Sequence, residues 1–94
     1  MYKLSEAAAS DIERILDWSL AEFGLTQTEE YYRSMSACME GLAENPAMGV
    51  SIDGIRAGYR RFPHQSHVIF YTQMDWGILI VRVLHKRMDA PRQL

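Results

Sequence analysis

The chain has 94 residues and a mass of 10.8 kDa, which allows one hydrophobic core and predicts a single domain over 1–94. A composition of 48% hydrophobic and 23% charged residues excludes a disordered chain, and a lone cysteine, Cys38, excludes an internal disulfide or a four-cysteine zinc site. The net charge of -2 divides unevenly: residues 1–55 hold three basic side chains against ten acidic, residues 56–94 seven against two, an asymmetry suited to an acidic partner.

"YKLS" (2–5) alternates and reads as an edge strand leading into a helix. In "EAAASDIERILDWSLAEFG" the apolar positions Ala8, Ile12, Ile15, Leu16, Leu20 and Phe23 follow the three-and-four spacing of one helical stripe, and Gly24 is placed to end it with a positive φ. "TQTE" then offers Thr26 as an N-cap with Glu29 three residues on, a capping box opening a second helix. Its stripe is Tyr31, Met35, Cys38, Met39 and Leu42, and Asn45-Pro46 stops it. So short a connection makes the two helices an antiparallel hairpin.

Residues 47–54 read as a turn-rich connector, after which the period becomes two. Three strands are expected: "IRAGYRRF" (55–62), then a "PHQS" turn, "HVIFYTQM" (67–74), and "ILIVRVLH" (78–85) after a "DWG" hairpin turn that uses Gly77. The predicted fold class is α+β, with an N-terminal edge strand and a helix hairpin packed on an antiparallel three-stranded meander. No apolar run reaches the ~18 residues of a membrane helix, and no signal peptide is evident, so a soluble, cytoplasmic protein is expected.

Few residues carry an obvious chemistry. His64, His67 and His85 fall in a turn, at a strand start and at a strand end, without metal-ligand spacing, so no metal is expected. The six glycines are scattered, which leaves no phosphate loop and no nucleotide cofactor to expect. Cys38, Met35 and Met39 lie on an apolar stripe and read as packing, and Glu29 and Glu30 suit a helix N-terminus. What stands out is basic: Arg56, Arg60 and Arg61 in the first meander strand, Arg82 in the last, and His85, Lys86 and Arg87 directly after it. Arg61 points away from Arg60, and the question is whether the pairing of strands gathers several of these cations at one place.

The order of elements, with "YKLS" in front, "GYRRF" in the middle and "VIFYTQMDWGILIVRVLHKRMD" at the end, resembles the ParE branch of the RelE/ParE toxin superfamily over nearly the whole chain. The resemblance implies the toxin of a type II toxin–antitoxin pair, acting on DNA gyrase by protein contact and held inactive in a hetero-oligomer with a ParD-like antitoxin. It implies no catalytic set, no cofactor, no membrane partner and no sequence-specific nucleic-acid binding. Target inhibition is expected at Arg60, Arg61, His85, Lys86, Arg87 and Met88. Antitoxin contact is expected at Trp18, Leu16, Leu20, Tyr31 and Met35 with the sheet edge. The alternative is a RelE-like, ribosome-dependent mRNA endoribonuclease, for which Arg61, Arg82 and His85 would be the catalytic residues. The tail after His85, "KRMDAPRQL", has no tyrosine, and no lysine lies between Lys3 and Lys86, so that set is thin.

Overall fold

The computed structural model describes residues 1–94 and contains, in chain order, β1 (Tyr2–Leu4), α1 (Glu6–Phe23), α2 (Leu25–Glu44), a 3-10 turn (Pro46–Met48), β2 (Val50–Ser51), β3 (Tyr59–His64), β4 (His67–Met74), β5 (Gly77–His85) and α3 (Ala90–Gln93). One five-stranded sheet has the order β1-β5-β4-β3-β2, antiparallel except for the β1–β5 pair. The helix hairpin covers one face, as its apolar stripes require.

The helix starts differ from expectation at one point. Ser5 caps α1: its hydroxyl accepts from the Ala8 N–H at 3.0 Å and donates to the Val81 carbonyl at 2.9 Å, tying the helix start to β5. Thr26 caps nothing. Gly24, at φ +85°, joins the helices alone, so α2 already begins at Leu25 and the box from Thr26 to Glu29 lies inside it. Thr28 instead donates back to the Gly24 carbonyl at 2.8 Å and meets Ser19 at 2.9 Å, which locks the hairpin's bend with hydroxyls.

The core between hairpin and sheet holds Ala8, Ile12, Met35, Met39 and Leu42 from the helices and Ile69, Tyr71, Ile78, Ile80 and Val83 from the strands. That sheet face passes from even to odd numbers along β5 because a bulge interrupts the ladder: Tyr71 pairs with Ile80 but Phe70 pairs with Arg82, leaving Val81 as the extra residue. The other face is also covered. Val68, Phe70, Leu84 and Ile52 form a second apolar cluster on which Ala90 and Leu94 of the C-terminal segment pack, so the helix hairpin is not the sheet's only cover.

The meander is shorter at its start than the alternation suggests. Residues 55–58 form turns, which takes Arg56 out of the strand, while Pro63 and His64 extend β3 and narrow the turn to Gln65–Ser66. Within the expected connector, Val50 and Ser51 add a two-residue strand against Arg61 and Arg60. Gly77 has φ +153°, and a Cβ there would collide with the Met1 carbonyl, so the β4–β5 turn needs glycine for both its angle and the approach of β1. No helix is long and apolar enough to cross a membrane.

Candidate functional site: a groove beside the closing strand

The first site residue to place is Arg82, because α1 supplies its partner. Asp11 is only 4% exposed. Its carboxylate accepts from Arg82 Nε at 2.7 Å, Arg82 Nη2 at 2.8 Å, Arg14 Nη2 at 2.8 Å and the Val83 N–H at 3.0 Å. The remaining Arg82 nitrogen, Nη1, donates to the Gln93 carbonyl at 3.0 Å. The hydrogen bonds to Asp11, more than their charge attraction, hold the guanidinium even more firmly protonated than usual. This clamp finishes the sheet edge: β1 ends opposite Ile80, and Ser5 and Asp11 then take over the backbone groups of β5 that no strand pairs.

Arg60 and Arg61 lie elsewhere. Arg60 Nη1 donates to the Gly49 carbonyl at 2.7 Å, in the turn that Tyr71 also holds by accepting from the Gly49 N–H at 2.9 Å and donating to the Pro46 carbonyl at 2.6 Å. Arg61 is exposed and pairs with Phe70, opposite the helix face. Both arginines sit in the middle of β3, whereas His85 aligns with its far end through His67 and His64. The expected gathering of Arg60 and Arg61 with the closing cluster therefore does not occur.

The strand ends gather histidines instead. His64 pairs with His67, and His67 with His85, so three imidazoles form a row across β3, β4 and β5. They stand on the face that α2 covers: Tyr31 Oη lies 2.6 Å from His67 Nδ1 and Ser34 Oγ 3.0 Å from His64 Nε2, and the His67 and His85 rings stand edge to face, centroids 5.6 Å apart. Burial pushes the Tyr31 hydroxyl up to about 12, with Cys38 adding to it, so this group stays a neutral hydroxyl hydrogen-bonded to His67. Burial first, then the charges of His85 and His64, lowers the His67 pKa, and burial lowers that of His64. No group of three or more His, Cys, Asp or Glu side chains could hold a metal ion.

This row is one end of a groove of about 1190 Å³ between the hairpin and the end of β5. Trp18 and Phe23 form its apolar wall, their rings edge to face with centroids 5.5 Å apart, and Tyr31, His67, His85 and Met88 continue it. Trp18 is 57% exposed although a tryptophan has much to gain from burial. The groove thus joins residues expected to meet an antitoxin, Trp18 and Tyr31, to two expected to meet a target, His85 and Met88. Lys86 and Arg87 are exposed on the turn beside it, which is closed by bonds from the Lys86 N–H to the Ser66 carbonyl and from the Met88 N–H to the His85 carbonyl.

Three of the residues expected to meet an antitoxin fall outside the groove. Met35 is 2% exposed and belongs to the core, so it has no surface to offer a partner. Leu16 packs against the core beside a smaller hollow it shares with Tyr32, and Leu20 is exposed on the hairpin.

A family model described as the ParE toxin of the type II toxin–antitoxin system parDE matches residues 2–90. The chain belongs to this ParE toxin family. A curated relative from Mycobacterium tuberculosis, Toxin ParE1, is 40% identical over 94 residues, spanning 99% of this chain and 96% of that one. A second Toxin ParE1, from Caulobacter vibrioides, is also 40% identical, over 93 residues and the same shares. Among solved structures, a chain of the chromosomal ParDE toxin–antitoxin system from P. aeruginosa shares the fold at a TM-score of 0.76 and 16% identity, covering 89% of this chain and 92% of that one. The α+β toxin fold expected from the sequence is thus also that of a ParDE protein.

Proposed function

We propose that this ParE-family toxin inhibits DNA gyrase by protein contact through its closing cluster, and that a ParD-like antitoxin neutralises it by filling the groove beside that cluster. The observation that carries the reading is the continuity of the groove with the cluster: His85 and Met88 line it, and Lys86 and Arg87 flank it. An occupant seated on Trp18 and Tyr31 covers the first two and screens the others, so neutralisation needs no change of fold. The exposed Trp18–Phe23 pair suits the apolar anchors of a segment that orders on binding. The free cations of the turn suit an acidic surface on the target.

A gyrase poison needs a surface that prefers one state of its target, not a catalytic set. The basic set expected of a nuclease has lost a member, since all three guanidinium nitrogens of Arg82 are committed to Asp11 and Gln93. One observation does favour cleavage of RNA: the neighbouring imidazoles of His67 and His85 have the residue chemistry of a general acid and base. Both activities are therefore measured on one preparation. Loss of gyrase supercoiling with intact ribosome-bound mRNA is the expected result; cleaved mRNA with unaffected supercoiling would replace this reading with the RelE-like one.

A further inference from the structure

The imidazoles at the groove's end carry their hydrogen-bonding capacity in an unusual arrangement. His67 shares a hydrogen bond with the Tyr31 hydroxyl at Nδ1. His85 accepts the Arg87 N–H at its own Nδ1, 3.2 Å away. A backbone N–H can only donate, so the neutral His85 ring carries its proton on Nε2; the Tyr31 hydroxyl, which can donate or accept, occupies Nδ1 of His67 and leaves its Nε2 to face the groove. Each ring is left with an Nε2 for which the protein supplies no partner, and in the imidazolium form that nitrogen is a donor in both. Two such donors on adjacent strands, both lining the groove, make a receptor for one anionic group.

The charges around them point the same way. From α1, Asp11 is already matched by Arg82 and Arg14, so it contributes no free negative charge. From α2, Tyr31 is a neutral hydroxyl and Glu30 is the groove's one carboxylate without an ion pair. From the strands and the turn come His64, Arg82, Lys86 and Arg87, while Asp89 just beyond the turn is paired with Arg92 of the C-terminal segment. An apolar wall with a cationic, donor-rich end fits a peptide segment that carries a Glu or Asp beside its apolar anchors.

We propose that His67 and His85 bind a carboxylate side chain of the antitoxin segment in the groove, so that complex formation takes up protons and tightens on mild acidification. The inference rests on the groove being the antitoxin's seat. Its sign follows from linkage. In the free toxin, burial and the neighbouring imidazoles disfavour protonation of His67. A carboxylate at Nε2 favours the imidazolium, which raises the imidazole pKa in the complex above that in the free toxin. The complex then binds more protons than its separated parts through the window around about pH 6.5, and affinity rises as pH falls through it.

The test is titration calorimetry of the full-length toxin with the full-length antitoxin of its own operon, at about pH 8 and about pH 6, in buffers of different ionisation heat. Net proton uptake and an affinity several-fold higher at the lower pH are expected, since one pKa unit gained in the complex approaches a factor of about ten only well below the free pKa. A folded toxin carrying His67→Gln and His85→Gln should bind equally at both pH values. Single His85→Gln, at the half-buried end of β5, should lose part of the uptake if the double variant proves unstable. No uptake in the wild type, or uptake that survives both substitutions, overturns the carboxylate receptor. Trp18→Ala separates the two failures: unchanged affinity in that variant would show that the antitoxin sits elsewhere, whereas weakened binding without proton linkage would refute the histidine role alone.

Discussion

Arg82 and His85 are three residues apart on β5 and line the same groove, yet they illustrate opposite uses of a basic side chain. Arg82 is spent inside the protein. Its fork meets a carboxylate that has 4% exposure, and together they close a sheet edge and hold the C-terminal segment. His85 and the Lys86–Arg87 turn are bound by little more than backbone bonds, and their side chains stay available. A basic residue in a strand becomes structural where a helix brings an acid to it. At the strand's end, where no acid arrives, it stays without an ion pair.

Substitutions can break this contrast, beginning with its structural half. Arg82→Ala leaves a buried carboxylate with only Arg14 and the Val83 N–H, and should cost about 3 kcal/mol, read as a lower midpoint in urea unfolding. A loss within about 0.5 kcal/mol, the range of ordinary surface positions, would show that the clamp is dispensable. Trp18→Ala should leave stability nearly unchanged and weaken antitoxin binding by about 2 kcal/mol, roughly thirtyfold, as measured by calorimetry. An equal loss in stability would move Trp18 to the structural side.

Smaller effects sharpen the comparison. Tyr71→Phe strands the Gly49 N–H and releases the Pro46 carbonyl, which should cost about 1–2 kcal/mol in the same urea experiment without altering antitoxin affinity. The smallest effect is on pH. His64 and His67 have lowered pKa values in the folded protein, so their contribution to stability is complete above the ordinary value of about 6.5 and is lost as pH falls through the lowered values. Thermal unfolding of the free toxin should show a modest fall in midpoint below that pH, and His67→Gln should reduce it.

The elements were largely legible because each rests on a local pattern: the stripes of α1 and α2 and the alternation of β4 and β5 reappear with nearly the expected bounds. Thr26 failed as a cap because Gly24 turns the chain so tightly that the helix begins two residues earlier, and the sequence signal for a capping box does not report that geometry. The histidine row was hidden by the bulge. Counting back from the Met74–Gly77 pair without it places Leu84 opposite His67; the one extra residue at Val81 brings His85 there instead. His64 joins because the turn occupies only Gln65 and Ser66, and a four-residue reading of "PHQS" had taken it out of the strand. The partner of Arg82 was equally invisible, since Asp11 lies 71 positions away and only the packing of α1 along β5 unites them.

The measurement that tests the account most directly is gyrase supercoiling inhibited by the wild-type toxin and by the Lys86→Glu/Arg87→Glu variant, both shown to be folded by circular dichroism. Potent inhibition by the first and none by the folded second is the predicted result. Undiminished inhibition by the charge-reversed toxin would contradict the assignment of the closing cluster to the target.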